Sequence, residues 1–262
     1  MLGHLRKLVA IFASLASLVG LLRPDVYRDP EIIRAAWRPN DAVTLLLAIP
    51  MLLWAEGRAE NGSIRARLVE IGVLHYLLYD FAFYLFGAEL NALFPVYIAT
   101  VAASFWTLVL ALHELDLKEV PRPRARGVAA WMLFVAAGLS ITWLAQWLVA
   151  IRRTTEPNRF DLTPEFIRTV AAVDLTMMVS FFVPGAVLVL RRRPWGTVIG
   201  AALGVSGALY DVVLAGGSLV QLRMGLAGAL PMLLLWCALA AGSVVATWRL
   251  LRRPEPCFAE AE

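Results

Sequence analysis

Residues 70–97 read EIGVLHYLLYDFAFYLFGAELNALFPVY, and between Ile71 and Ala88 the only formal charge is Asp80. A water-facing helix would need a polar stripe along that length, whereas this stretch is apolar or aromatic almost all round. A bilayer core takes roughly 20 residues of helix per crossing. Inside it only helices and closed barrels satisfy their backbone polar groups, and barrel strands run to roughly 10 residues. The stretch therefore reads as a transmembrane helix.

Its polar residues have a pattern. Tyr76, Asp80, Tyr84, Gly87 and Asn91 recur at steps of four, four, three and four, the spacing of one helical face. A carboxylate turned to lipid is costly, so this face should look into a bundle or a wet cavity. His75 and Tyr79 flank it. Two readings follow: a polar lining for a cavity or proton path, or an interhelical hydrogen-bond cluster in which tyrosine hydroxyls satisfy Asp80.

The rest of the chain extends the first inference. Of 262 residues, 60% are hydrophobic and only 17% charged, and mean hydropathy is +0.70. A soluble domain carries about 25% charge. Apolar runs place eight spans near residues 8–22, 41–55, 69–87, 92–112, 127–151, 169–190, 196–215 and 225–248. The expected fold is an all-α bundle of about eight transmembrane spans, a single domain over 1–253 with a short tail at 254–262. The first two spans are short, and the second contains Pro50, which removes a helical hydrogen bond. They form either two crossings or a re-entrant or tilted hairpin; both choices leave the later orientation unchanged. The N-terminus has the basic start and apolar run of a signal peptide but no convincing small-x-small cleavage site before Arg23, which favours an uncleaved first span.

Charge sets the orientation. With both ends inside, fifteen basic residues fall on the inner side and nine on the outer, in keeping with the positive-inside rule. The outer basic residues gather in segments 23–40 and 152–168, whose EIIRAAWR and TPEFIRTV motifs suggest short amphipathic helices at the interface. No basic patch is interleaved with exposed aromatics, so the basic balance is assigned to topology and lipid headgroups rather than nucleic acid.

Asp174 and Asp211 also lie within spans, and this topology puts Asp80, Asp174 and Asp211 in the outer half of the membrane. Three acids at one depth can coordinate a cation, relay protons or hold a cationic ligand. Alternatively, Arg34, Arg38, Arg152, Arg153 and Arg168 fold inward and neutralise them. Gly196, Gly200 and Gly204 form overlapping GxxxG steps, as do the small residues Ala238, Gly242 and Ala246; both signal close helix packing.

Catalytic signatures are sparse. The GVSG at 204–207 and the Trp37–Arg38 pair are similar to rhomboid-protease motifs, but the only histidines are His4, His75 and His113, none after the serine. There is no ATP-binding GxxxxGK[ST] and no HExxH, and His113 with Glu114 and Asp116 reads as a solvated helix end. Metal ligation is not expected, and the cofactor is left unassigned. The spans hold no lysine for a retinal Schiff base, Cys237 and Cys257 have no ligand spacing, and Asn61-Gly62-Ser63 falls on the inner side as a turn.

Three segments, PNDAVTLLLAIPMLL, YLLYDFAFYLFGAELNALFPVY and RRRPWG, together resemble a family of bacterial integral membrane proteins with no known activity, over about residues 20–220. The resemblance implies a bacterial plasma-membrane location. It also implies that the Asp80 position is often asparagine, within a YNY-like motif, which weakens a strict need for charge there.

The functional expectation is a small-solute or ion transport protein with an outward-facing cavity. Asp80, Asp174 and Asp211 would supply charge to a small cation or polar solute, and Tyr76, Tyr84 and Asn91 would orient it. The alternatives are a membrane-embedded enzyme acting on a lipid or quinone with Asp174 as general base, and a sensor or assembly factor using its outer loops. Oligomeric state is not legible in the sequence.

Overall fold

The computed structural model describes residues 2–152 and 164–252, and these form an all-helical bundle with no strand among them. Eight helices are long and apolar enough to cross a membrane: α1 (Leu2–Leu22), α2 (Glu31–Glu60), α3 (Ile64–Gly87), α4 (Phe94–His113), α5 (Arg126–Ala150), α6 (Pro164–Leu190), α7 (Pro194–Arg223) and α8 (Ala229–Leu251). An even number of crossings places both ends of the described chain on one face. That face is called inner here, after the excess of basic residues.

Local chemistry explains the boundaries. The Ser63 hydroxyl caps α3 by accepting from the Ala66 amide, and the Asn61-Gly62 turn before it uses a left-handed glycine, φ +83°. The turn expected from that sequence is therefore present. Pro194 sits in the first turn of α7, where its missing N–H costs no hydrogen bond.

The first two spans are longer than their hydropathy suggests, and neither forms a re-entrant hairpin. α1 begins at Leu2 rather than near residue 8, because Arg6 is buried and paired inside the bundle. The EIIRAAWR segment is not a separate interfacial helix. Ile32, Ile33 and Trp37 are buried, and the segment continues directly into the span. The described part of TPEFIRTV likewise runs without a break from Pro164 into α6. Arg153, Arg159 and the tail with Cys257 lie outside the described residues.

α3 is the most enclosed helix and α7 the next. α3 packs against α2, α4, α6 and α7, while α7 also meets α2, α6 and α8. Gly72 of α3 abuts Val205 of α7, and Gly200 and Gly204 abut Leu250 and Thr247 of α8; none has room for a methyl group beyond its own hydrogen. The GxxxG steps thus serve close packing. Outward-facing Leu46, Phe86, Phe134, Ile141 and Val149 are exposed and form part of the lipid-facing belt.

α2 and α6 each contain a five-residue π-helical turn, at Thr44–Ala48 and at Leu175–Val179. The first lies just ahead of Pro50, whose ring and missing N–H disturb the ladder one turn back. The second lies five residues before Pro184. Such wide turns free backbone carbonyls for other partners.

Candidate functional site

Two faces of α3 organise the buried polar groups. Tyr76, Asp80 and Tyr84 face α2, and His75 and Tyr79 face α6. Each set meets its neighbour at or beside a π-helical turn. Thr44, the first residue of the wide turn in α2, donates its hydroxyl to Asp80 Oδ2 at 3.4 Å and shares a 3.2 Å hydrogen bond with Tyr76. The His75 Nε2 lies 3.2 Å from the Met177 carbonyl, within the wide turn of α6. Asp174 immediately precedes that turn and accepts from Tyr79 at 2.5 Å and from the Trp143 indole at 2.6 Å.

Tyr76, Asp80 and Tyr84 therefore share a face as their spacing requires. Asn91 does not, because α3 ends at Gly87. It instead builds the turn into α4, donating to the Glu89 carbonyl and accepting from the Leu93 amide at 2.9 Å. A four-residue step has no meaning once the helix has ended.

Asp80, Asp174 and Asp211 share no hydrogen-bond partner. Asp80 is fully buried and its Oδ1 has no hydrogen-bond partner. Asp211 looks away toward α8, where the Ser243 hydroxyl donates at 3.4 Å. Tyr210, the neighbour of Asp211 in α7, stacks edge-on against Tyr79 at 4.9 Å. Asp80 and Asp174 are at most 4% exposed, so these two acids sit behind packed side chains and do not line an open cavity, while Asp211 is partly exposed. Among the described residues no arginine or lysine pairs with Asp80, Asp174 or Asp211; of the arginines that the alternative reading folds inward, Arg34, Arg38, Arg152 and Arg168 form no ion pair with them, and Arg153 lies outside the described residues.

The sequence reading missed a fourth carboxylate. Asp41, 1% exposed, accepts from Tyr27 at 2.7 Å and Tyr84 at 3.0 Å. Gly20 of α1 packs directly over this pair, with no space for a Cβ. Trp37 stacks on Tyr84 at 4.5 Å and closes the outer side. Tyr27 belongs to the outer loop, so the loop turns inward and seals the bundle. Burial raises its phenol far above the ordinary range, and Asp41 adds to the shift. A usable signal was present: Trp37, Asp41 and Thr44 recur at steps of four and three. It was hidden because Asp41 is the first residue of the span read at 41–55, next to the charged segment 23–40.

A second buried polar group, also missed, lies at the inner end. Arg6 is 3% exposed and donates to fully buried Glu70 at 2.5 Å, with Glu60 at 3.3 Å and Glu56 at 3.8 Å. Arg67 completes the Glu70 pair at 2.8 Å. This network ties α1 and α2 to the start of α3. It differs from Asp41, Asp80, Asp174 and Asp211, whose donors among the described residues are all neutral.

Between α5 and α6 a largely apolar groove of about 580 Å³ opens beside Trp143, with Ser140, Trp147, Ile167 and Ala171 in its walls. Trp143 thus connects the groove to Asp174.

No protein-family model, curated protein or solved structure matches this chain.

Proposed function

We propose that this integral membrane protein is a small-solute or ion transport protein, with the structure representing a closed state. The observation that carries the reading is the set of buried carboxylates Asp41, Asp80 and Asp174, which have no cationic partner among the described residues and lie on α3 or beside the π-helical turns of α2 and α6 that face it. An uncompensated acid inside a bilayer is costly and is ordinarily kept for a proton, an ion or a cationic ligand. A helix interrupted by a wide turn is a place where segments can reorient and free carbonyls can meet the cargo. In this scheme Asp80 and Asp174 supply charge on the two faces of α3, with Asp211 at the periphery. Asp41 extends the charged set outward. Tyr76 and Tyr84 orient the cargo, and Asn91 fixes the loop that covers it.

The test uses the full chain in proteoliposomes with a trapped pH-sensitive dye, under imposed proton, sodium or potassium gradients. The wild type should dissipate at least one gradient faster than empty vesicles, and Asp80→Asn with Asp174→Asn and Asp211→Asn should abolish that flux. Equal flux from the triple variant would overturn the proposal.

One observation favours a second reading, a membrane-embedded enzyme acting on a lipid or quinone. The α5–α6 groove has the apolar character such a molecule needs, and its Trp143 wall is hydrogen-bonded to Asp174, the candidate general base. A lipid or quinone copurifying with the wild type and lost in Trp143→Ala would favour this reading, particularly if no gradient is dissipated.

A further inference from the structure

At the inner face a groove of about 380 Å³ lies where the end of α2, the start of α3 and the end of α8 come together. Its walls carry three arginines, Arg58, Arg65 and Arg252, and two tryptophans, Trp54 and Trp248. We propose that this groove binds the phosphate headgroup of an anionic phospholipid, with the acyl chains passing between the two indoles into the bilayer.

Three features single out this chemistry. First, none of the three arginines has a carboxylate partner among the described residues, whereas Arg6 and Arg67 nearby are each paired with glutamates. Unpaired guanidinium groups offer planar forks of N–H donors, the geometry that matches phosphate oxygens. Second, Arg58 and Arg252 rest against aromatic rings, 5.9 Å from the Trp54 centroid and 4.4 Å from the Trp248 centroid. An indole holds a guanidinium in place while leaving its N–H edge free for an anion. Third, α3 begins at the groove behind the Ser63 cap, so the positive end of its dipole points the same way.

The tryptophans decide between a lipid and a soluble anion. Trp54 and Trp248 are 54% and 57% exposed, within the last two turns of their membrane-crossing helices. Indoles at that depth sit at the headgroup level, with the ring body in the acyl region. Val69 and Leu251 continue the apolar wall. A free phosphate would use the arginines and gain nothing from this surround. The leaflet that the positive-inside pattern assigns to this face is also the one rich in anionic lipid.

The experiment is native mass spectrometry of the full-length detergent-solubilised protein titrated with phosphatidylglycerol or phosphatidylcholine of identical acyl chains. The wild type should retain phosphatidylglycerol at a concentration about tenfold lower than phosphatidylcholine. Arg58→Gln with Arg65→Gln and Arg252→Gln should remove that preference. Arg122→Gln with Arg124→Gln, which removes two exposed inner-face arginines outside the groove, should keep it. Equal preference in the groove variant, or equal loss in the control, would overturn the assignment. Displacement of phosphatidylglycerol by millimolar inorganic phosphate would overturn the lipid source. Should the groove variant fail to fold, the unmodified protein still gives an answer with a photoactivatable phosphatidylglycerol. Crosslinks on the Trp54 and Trp248 peptides support the site, and their absence there refutes it.

Discussion

Gly20→Ala probes the contact that fixes α1 against the outer acid pocket. A Cβ at position 20 would fall well inside van der Waals contact with both Asp41 Oδ2 and the Tyr27 hydroxyl. Those atoms are joined by a 2.7 Å hydrogen bond, and Tyr27 and Asp41 are 2% and 1% exposed, so neither can swing into solvent. Either the hydrogen bond breaks or α1 moves. Losing a buried bond and leaving its partner unsatisfied costs about 1–3 kcal/mol. Alanine recovers up to about 1 kcal/mol of helix propensity, leaving about 0–2 kcal/mol, and the overpacking itself adds about 1–3 kcal/mol, so the net effect is a loss. Gly138 of α5 provides the control, because nothing lies within 4 Å of the corresponding Cβ. Gly138→Ala should therefore keep the propensity gain alone, about 0.5–1 kcal/mol of stabilisation. Reversible unfolding in mixed micelles with increasing dodecyl sulfate, followed by tryptophan fluorescence, reads both signs. In a Tyr27→Phe, Asp41→Ala background the penalty of Gly20→Ala should vanish. A Gly20→Ala protein as stable as the wild type would refute the close-contact reasoning.

Two further outcomes follow from the charged groups. Arg6→Gln should destabilise by about 3 kcal/mol in the same unfolding assay, because it leaves fully buried Glu70 with Arg67 alone; restoring most of the loss with Glu70→Gln in the same chain would confirm the cause. Asp29 sits in the outer loop, where burial raises its carboxyl above the ordinary 3.8 despite a 3.0 Å hydrogen bond from the Glu89 amide. The folded chain thus holds this proton more tightly than the unfolded one. Its contribution is complete below pH about 3.8 and is lost as pH rises through the raised folded value. Asp29→Asn should therefore gain stability over the wild type near neutral pH and lose that advantage on acidification, as measured by unfolding across pH; a pH-independent difference would refute the assignment.

The sequence alone determined the membrane class, the number of crossings and one face of α3. Hydropathy is a sum over neighbouring residues, so it survives without knowledge of the fold. The steps joining Tyr76, Asp80 and Tyr84 are likewise a property of one helix, and they end with it, which is why Asn91 was misplaced. Only the tertiary structure decided which charges are interior. Arg6 and Asp41 looked like the edges of spans because a charge beside an apolar run reads as solvent-facing. Each is buried by residues distant in sequence, Arg6 by Glu70 and Asp41 by Tyr27 and Tyr84. The same holds for the common depth of Asp80, Asp174 and Asp211. Depth along a helix can be counted from the chain, but the direction each carboxylate faces depends on helix rotation against its neighbours. Packing sent Asp80 toward Thr44, Asp174 toward Tyr79 and Trp143, and Asp211 toward Ser243.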